Sequence, residues 1–214
     1  MNNAQKIQEL LIVQEEIQKK YDEMRMFKHE YKNTLISLRG YIEDGDFDHL
    51  SQYVISLTNE FCEFEKNDYI GVSQIADAGL RFLVLNKICL AKKMQVHFSI
   101  KVSSAFEVRS FSRKHLSMVV GILLDNAIEA AKDSDEKRVE VFFANNEREG
   151  IIEIKNSYKQ KPNLGRMFAK GYSEKEGHTG LGLYRLKKTL SNCETAFTEI
   201  KIMKNYFKFI INFI

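Results

Sequence analysis

The N-terminal part of the chain carries an apolar stripe with heptad spacing. With Ile7 at position a, positions a and d are apolar except at Gln14 and Lys28. The stripe consists of Ile7, Leu10, Ile17, Tyr21, Met24, Tyr31, Leu35, Leu38 and Ile42. Turn residues follow at Asp44-Gly45-Asp46, and a second stripe then runs through Phe47, Leu50, Val54, Leu57, Phe61 and Phe64. The pattern predicts an antiparallel helical hairpin over residues 1–66.

A single hairpin of this kind cannot cover both of its apolar seams. The usual solution is a four-helix bundle made by two copies of the chain. The sequence therefore predicts a homodimer through the helical hairpin. A coiled-coil spacer without any chemistry gives the same periodicity and remains the alternative at this point.

The pattern changes from residue 67 onward, where alternating apolar segments are mixed with helical ones. Helices are predicted over Val72 to Met94, Ser112 to Lys132 and Leu183 to Leu190, and strands over Val96 to Val102, Arg138 to Ala144, Ile151 to Asn156, Thr195 to Met203 and Tyr206 to Ile214. Because helices and strands do not alternate strictly, an α+β sandwich with helices on one face of a mostly antiparallel sheet is expected. The chain is thus predicted to have two domains, residues 1–66 and 67–214.

Composition narrows the possible partners. Hydrophobic residues make up 44% of the chain and charged residues 29%, as in ordinary globular proteins. The 32 basic residues nearly balance the 29 acidic ones, so no nucleic-acid partner is indicated. No apolar run approaches the ~20 residues that a membrane span requires.

His29 is the first candidate for chemistry. It follows Lys28 at position a and therefore takes position b, which points away from the seam. A neutral imidazole can accept a phosphoryl group. The Glu30 carboxylate beside it can hold the opposite ring N–H and make the ring a better nucleophile, and Asn33, one turn away, can orient a water. The alternative is an ordinary solvated histidine on a helix surface.

The helix that follows Ser112 has a polar group opposite its apolar face. Asp125, Asn126 and Glu129 fall together on the polar side. An amide between two carboxylates suits Mg²⁺, which prefers a few protein oxygens, several waters and the phosphates of a nucleotide. Acidic residues on a wet helix face that only solvate it are the alternative.

A glycine-rich segment precedes the helix predicted from Leu183. Closely spaced glycines at a helix start let backbone N–H groups approach a phosphate. The segment is not a Walker loop. The long polar stretch before it is typical of a lid. The candidate phosphate contacts in this region are Lys170, Ser173, Lys175, Gly177, Thr179, Gly180, Leu181 and Gly182.

In this order, the three blocks resemble the H, N and G boxes of bacterial two-component sensor histidine kinases. The stretch from Phe27 to Asn33, with its His-Glu-x-x-Asn pattern, is similar to the quorum-sensing peptide-pheromone receptor subgroup. The resemblance implies a helical-hairpin dimerisation and histidine-phosphotransfer domain followed by a GHKL, or Bergerat-type, α/β sandwich that binds ATP.

The resemblance also implies roles for individual residues. His29 would be the phospho-acceptor, Glu30 the assisting acid or base, and Asn126 the residue linked to Mg²⁺; Gly177, Gly180 and Gly182 would line the phosphate lid. The cofactors would be ATP and Mg²⁺, and the partner a response-regulator receiver domain. The full-length protein would sit in the cell membrane through an N-terminal sensor domain, with this region on the cytoplasmic side.

The chain departs from the family at one box. Relatives place Asp-x-Gly-x-Gly where this sequence has Asn156 and no glycines. The Asn156 side-chain oxygen can accept the adenine amino hydrogen bond that the Asp normally accepts. The departure leaves an alternative function open, namely a phosphotransferase or an adaptor with a degenerate ATP domain.

Overall fold

The computed structural model describes residues 3–57, 71–103, 105–145, 150–173 and 179–214. The chain divides into two compact units, Met1–Phe61 and Cys62–Ile214, which are treated separately below. The predicted boundary between residues 66 and 67 lies outside the described residues.

The first unit is a pair of helices, α1 (Asn3–Glu43) and α2 (Phe47–Leu57). Gly45 adopts a positive φ of 70° in the connecting turn, a conformation that glycine reaches without strain. Asp46 then caps α2, since its Oδ1 accepts a hydrogen bond from the backbone N–H of His49 at 3.2 Å. The rings of Tyr41 and Tyr53 pack 5.7 Å apart beyond the turn. The two helices and the turn between them are as predicted, while Phe61 and Phe64 lie outside the described residues.

The apolar stripe of α1 is exposed in the single chain. Leu10, Ile17, Tyr21 and Met24 each expose 59–62% of their surface. Among the residues of this unit whose side-chain exposure the structure describes (8 and 10–57), none is buried. No described helix of either unit is both long and apolar enough to cross a membrane.

The second unit contains three helices and a five-stranded sheet. The helices are α3 (Ala78–Lys93), α4 (Arg113–Lys132) and α5 (Gly182–Ser191). The strands are β1 (His97–Val102), β2 (Arg138–Asn145), β3 (Gly150–Ser157), β4 (Ala196–Ile202) and β5 (Tyr206–Phe213). The strand order is β1-β2-β3-β5-β4, with β1 parallel to β2 and the other neighbours antiparallel. The predicted α+β sandwich is confirmed.

The core lies between the helices and one face of the sheet. Alternate residues of β2, Val139, Val141 and Phe143, are at most 3% exposed, as expected for a strand covered on one side. On α4, the face opposite the polar group is fully buried, with Val120, Leu124 and Ile128 at 0% exposure. This burial fixes the rotation of α4 and directs its polar residues away from the core.

One predicted boundary needs correction. The helix predicted from Val72 begins at Ala78, because the side chain of Asp77 accepts a hydrogen bond from the backbone N–H of Leu80 at 2.7 Å and caps the helix there. Ser112 occupies the position before α4, as predicted, but its side chain makes no capping hydrogen bond.

Candidate functional site

A cavity of about 640 Å³ opens in the second unit beside the polar face of α4. Its walls come from α4, β3, the segment that follows β3, the start of α5 and β5. It brings together nine of the residues predicted from the sequence: Asp125, Asn126, Glu129, Asn156, Ser173, Thr179, Gly180, Leu181 and Gly182. Residues separated by more than fifty positions in the sequence thus share one site.

Asn126 has a fixed orientation on α4. Its Nδ2 donates a hydrogen bond to the backbone carbonyl of Ile122, one turn earlier, at 2.7 Å. The carbonyl accepts only, so the bound end of the amide is the NH₂ group and Oδ1 is the end left for a ligand. An amide oxygen beside carboxylates is a donor set that fits Mg²⁺. Within the described ranges, His, Cys, Asp and Glu side chains form no group of three or more that could hold a metal ion by themselves.

Asn156 lines the same cavity from near the end of β3 and is 5% exposed. Its Nδ2 donates to the backbone carbonyl of Ser157 at 2.8 Å, so Oδ1 is again the available acceptor. The pairing of β3 with β5 places Asn156 opposite Phe207 and Ile154 opposite Phe209. All four residues line the cavity. One oriented acceptor surrounded by apolar groups suits a planar base that carries an exocyclic amino group.

The glycine-rich segment is held by backbone packing. Gly180 has a φ of 61°, and a Cβ at this position would lie 2.4 Å from the carbonyl oxygen of Tyr172. The N–H of Gly171 donates to the carbonyl oxygen of Gly180 at 3.3 Å. At Gly182, a Cβ would meet Ile122 of α4 at 3.5 Å, an ordinary contact. The two arms of the polar segment therefore meet where α5 begins, against α4.

The sequence analysis also named residues that the cavity does not include. Lys170 is exposed and is not among the residues that line the cavity. It precedes Gly171, where the chain turns with a φ of 77°. Lys175 and Gly177 lie outside the described residues.

Several lining residues were missed by the sequence analysis. Phe207 and Phe209 occupy alternate positions of β5, and the period of two would have placed them on one face, but only the strand register puts them beside Asn156. The segment after β3 adds Tyr158, Lys159 and Asn163. Its irregular sequence gave no signal of this placement.

His29 lies on α1 in the first unit and is exposed. The polar group at its ring is the amide of Asn33, whose Nδ2 lies 3.2 Å from Nδ1. Among the contacts of the described residues, none joins the Glu30 carboxylate to the ring; the Glu30 backbone carbonyl accepts a hydrogen bond from the Thr34 hydroxyl at 3.0 Å. Asn33 therefore occupies the position at Nδ1 that the sequence analysis considered for Glu30.

Comparison with known proteins agrees with this architecture. Residues 113–214 match the GHKL domain family. Sensor protein CitS of Bacillus subtilis (strain 168) is 26% identical over 177 residues, which cover 80% of this chain and 32% of that protein. A probable C4-dicarboxylate sensor kinase of Halalkalibacterium halodurans is 26% identical over 180 residues, which cover 81% of this chain and 33% of that protein. The chain thus spans about a third of the length of these curated relatives.

The solved catalytic domain of histidine kinase ThkA has the same fold. It superposes with a TM-score of 0.54 at 21% identity and covers 72% of this chain and 95% of that structure. The chain is therefore similar in sequence to the GHKL domain family and to bacterial sensor kinases, and in fold to a histidine kinase catalytic domain.

Proposed function

We propose that this chain is the kinase region of a sensor protein, which transfers the γ-phosphoryl group of ATP to His29 and then to an aspartate of a response regulator. The observation that carries the proposal is the cavity in which Asn126, Asn156 and Gly180 meet. It combines an oriented oxygen for a hard cation, an oriented acceptor for an amino group and a glycine backbone that a phosphate can approach.

ATP fits this cavity from end to end. The adenine amino group would donate to Oδ1 of Asn156, with the base against the apolar surface formed by Ile154 and the phenylalanines of β5. The phosphates would lie toward Gly180 and Gly182. Mg²⁺, bound through Oδ1 of Asn126, would neutralise charge on the phosphates as the phosphoryl group leaves.

The chemistry at His29 depends on which ring nitrogen carries the proton. With Asn33 Nδ2 donating to Nδ1, the proton of a neutral ring lies on Nε2 and no lone pair is free for attack. If the amide turns over, Oδ1 accepts from Nδ1–H and Nε2 keeps its lone pair. We propose that Nε2 attacks the γ-phosphorus in this second arrangement, in line with the leaving ADP oxygen. Glu30 would then accept the proton that the phosphorylated ring releases.

The partners follow from the first unit and from the relatives. The exposed seam of α1, which includes Ile17, Tyr21 and Leu35, would be buried by a second copy in a four-helix bundle. A receiver domain would dock on the hairpin near His29. The rest of the sensor, in the membrane, would place this region in the cytoplasm. The peptide-pheromone subgroup stays a prediction, whereas the name of one relative, a probable C4-dicarboxylate sensor kinase, favours a small dicarboxylate as the signal.

The direct test is incubation of the chain with γ-³²P-ATP and Mg²⁺. We expect a labelled product that is stable to base and labile to acid, as phosphohistidine is. His29→Ala should remove the label. His49→Ala is the matched control, because His49 is also exposed in the same unit but is engaged by Asp46 at 2.8 Å; this variant should label normally.

A second variant tests the nucleotide site. Asn126→Ala should abolish labelling while leaving the dimer intact by light scattering. Label that persists in His29→Ala would disprove the acceptor assignment. Failure of the unmodified chain to bind ATP at millimolar concentration would instead favour the phosphotransferase or adaptor with a degenerate ATP domain, which the replacement of the family's Asp by Asn156 suggests.

A further inference from the structure

Helix α3 contributes a lysine to the edge of the candidate nucleotide site. Lys87 Nζ lies 2.6 Å from Asp125 Oδ1, and their side chains are 18% and 43% exposed. The two residues are 38 positions apart in the sequence. Asp125 lines the cavity and precedes Asn126, whereas Lys87 itself is not among the lining residues. The ammonium group therefore acts on the site through Asp125.

The charge of the cavity gives this contact its importance. Asp125, Glu129 and Asp133 line the cavity, and Lys159 is the one basic residue among the described residues that line it. A nucleotide triphosphate carries three to four negative charges, so each uncompensated carboxylate nearby opposes its binding. The largely covered stem of Lys87 lies between α3 and α4, which holds the ammonium group beside Asp125.

We propose that Lys87 is a positioning residue of the nucleotide site. Its ammonium group neutralises Asp125 and holds the carboxylate in place, so that ATP binds beside it with less dependence on Mg²⁺. The inference rests on the proposed ATP site, and it assigns to α3 a part in that site. A surface ion pair without this role would contribute little and would not affect nucleotide binding selectively.

Loss of the Lys87 charge should weaken ATP binding more without Mg²⁺ than with it. Without the Lys87 charge, Asp125 repels free ATP, and at the effective dielectric of a protein surface this repulsion corresponds to roughly a tenfold loss of affinity. Bound Mg²⁺ cancels about half of the triphosphate charge, so the loss should shrink to about threefold. A lysine that merely stabilises the fold would change both affinities by the same factor.

The experiment measures ATP binding by calorimetry in Mg²⁺ and in EDTA, with the full chain carrying His29→Ala so that the nucleotide is not consumed. We expect Lys87→Gln to raise the Kd about tenfold in EDTA and about threefold in Mg²⁺. Asp125→Asn in the same chain should reduce the effect of Lys87→Gln to less than about twofold, because the charge to be neutralised is gone. Lys87→Arg, which keeps the positive charge, should restore the ratio of the Kd in EDTA to the Kd in Mg²⁺ to that of the chain with Lys87.

Lys114→Gln is the matched control, since Lys114 is exposed on α4 and is not a lining residue. It removes the same charge and should leave the ratio of the two Kd values unchanged. Equal losses with and without Mg²⁺ in Lys87→Gln, or no rescue by Asp125→Asn, would overturn the role of Lys87 while the ATP site stands. Absence of ATP binding before any change at Lys87 would overturn the proposed function and this inference together.

Discussion

Gly180 offers the sharpest test of the candidate site. Its replacement by alanine introduces both backbone strain and atomic overlap, whereas the same replacement at Gly171 introduces the strain alone. Gly180 has a φ of 61°, and its added Cβ would lie 2.4 Å from the Tyr172 carbonyl oxygen and 2.5 Å from the Gly171 carbonyl carbon. Gly171 has a φ of 77°, but nothing lies within 4 Å of its Cβ position. Gly171→Ala therefore introduces backbone strain alone, and Gly180→Ala introduces strain and overlap.

The cost of each substitution follows from these contacts. Left-handed backbone costs an alanine about 1–2 kcal/mol. The overlap at Gly180 involves backbone atoms, which cannot rotate away, and relieving such contacts costs another ~1–3 kcal/mol. A local penalty of about 3 kcal/mol lowers the population of the native loop by roughly a hundredfold. Gly171→Ala should lower it by about five- to thirtyfold.

The assay is ATP binding in Mg²⁺, together with thermal unfolding of the same variants. We expect Gly180→Ala to weaken ATP binding by more than about tenfold and Gly171→Ala by clearly less. Both should keep most of the melting temperature, since the loop can rearrange without opening the core of β2 and α4. Equal affinities for the two variants would show that the overlap has no consequence, and normal binding by Gly180→Ala would refute the part assigned to this loop.

Three further predictions concern the seam, the sheet surface and the base pocket. Leu35→Lys places a charge in the exposed seam of α1 and should convert the chain from dimer to monomer in sedimentation experiments. Lys155 donates to Glu140 at 3.0 Å, and this hydrogen bond lowers the pKa of the Glu140 carboxyl below its ordinary value of 4.5. A lowered pKa stabilises the fold only while the carboxyl group is ionised. Lys155→Met should therefore lower the free energy of unfolding at neutral pH. This difference from the unmodified chain should vanish as the pH falls below about 4, as denaturant titrations will measure. Asn156→Asp, although it restores the residue type of the family, should weaken adenosine binding at pH 8, and binding should recover as pH is lowered.

The secondary structure of the second unit was largely predictable because local patterns decide it. The period of two in β2 and the helical face of α4 are both functions of residue type along a short stretch, and their bounds agree with the structure within one or two residues. Asp77 was not read as a cap, so the helix was predicted to begin too early. A run of helix-compatible residues does not by itself show where a helix begins, because the start depends on a single side-chain hydrogen bond of the capping residue.

The site was predictable only in part because it is assembled from distant segments. Asn126 and Gly180 carry residue types that suit a cation and a phosphate, so the sequence alone singled them out as candidates, and both line the cavity. Phe209 became a lining residue through the register between β3 and β5, and Lys87 reached Asp125 through the packing of α3 on α4. No pattern within either segment contains this information. The distances between elements, rather than residue types, determine which of these side chains meet.

The loss of the family's Asp is best understood from the backbone next to it. The carbonyl of Ser157 accepts a hydrogen bond from Asn156 Nδ2 at 2.8 Å, at a side chain that is 5% exposed. An ionised Asp at this position would direct an oxygen at that carbonyl, and two buried acceptors without a hydrogen between them are unfavourable by about 1–3 kcal/mol. Protonation would supply the missing hydrogen, which is why the affinity of Asn156→Asp for adenosine should rise at low pH. The amide thus meets both needs at neutral pH, since it donates to the strand and keeps an acceptor for the base. Asn156 therefore suits a pocket that accepts an adenine amino group, and the measurement of ATP binding decides between such a pocket and a degenerate one.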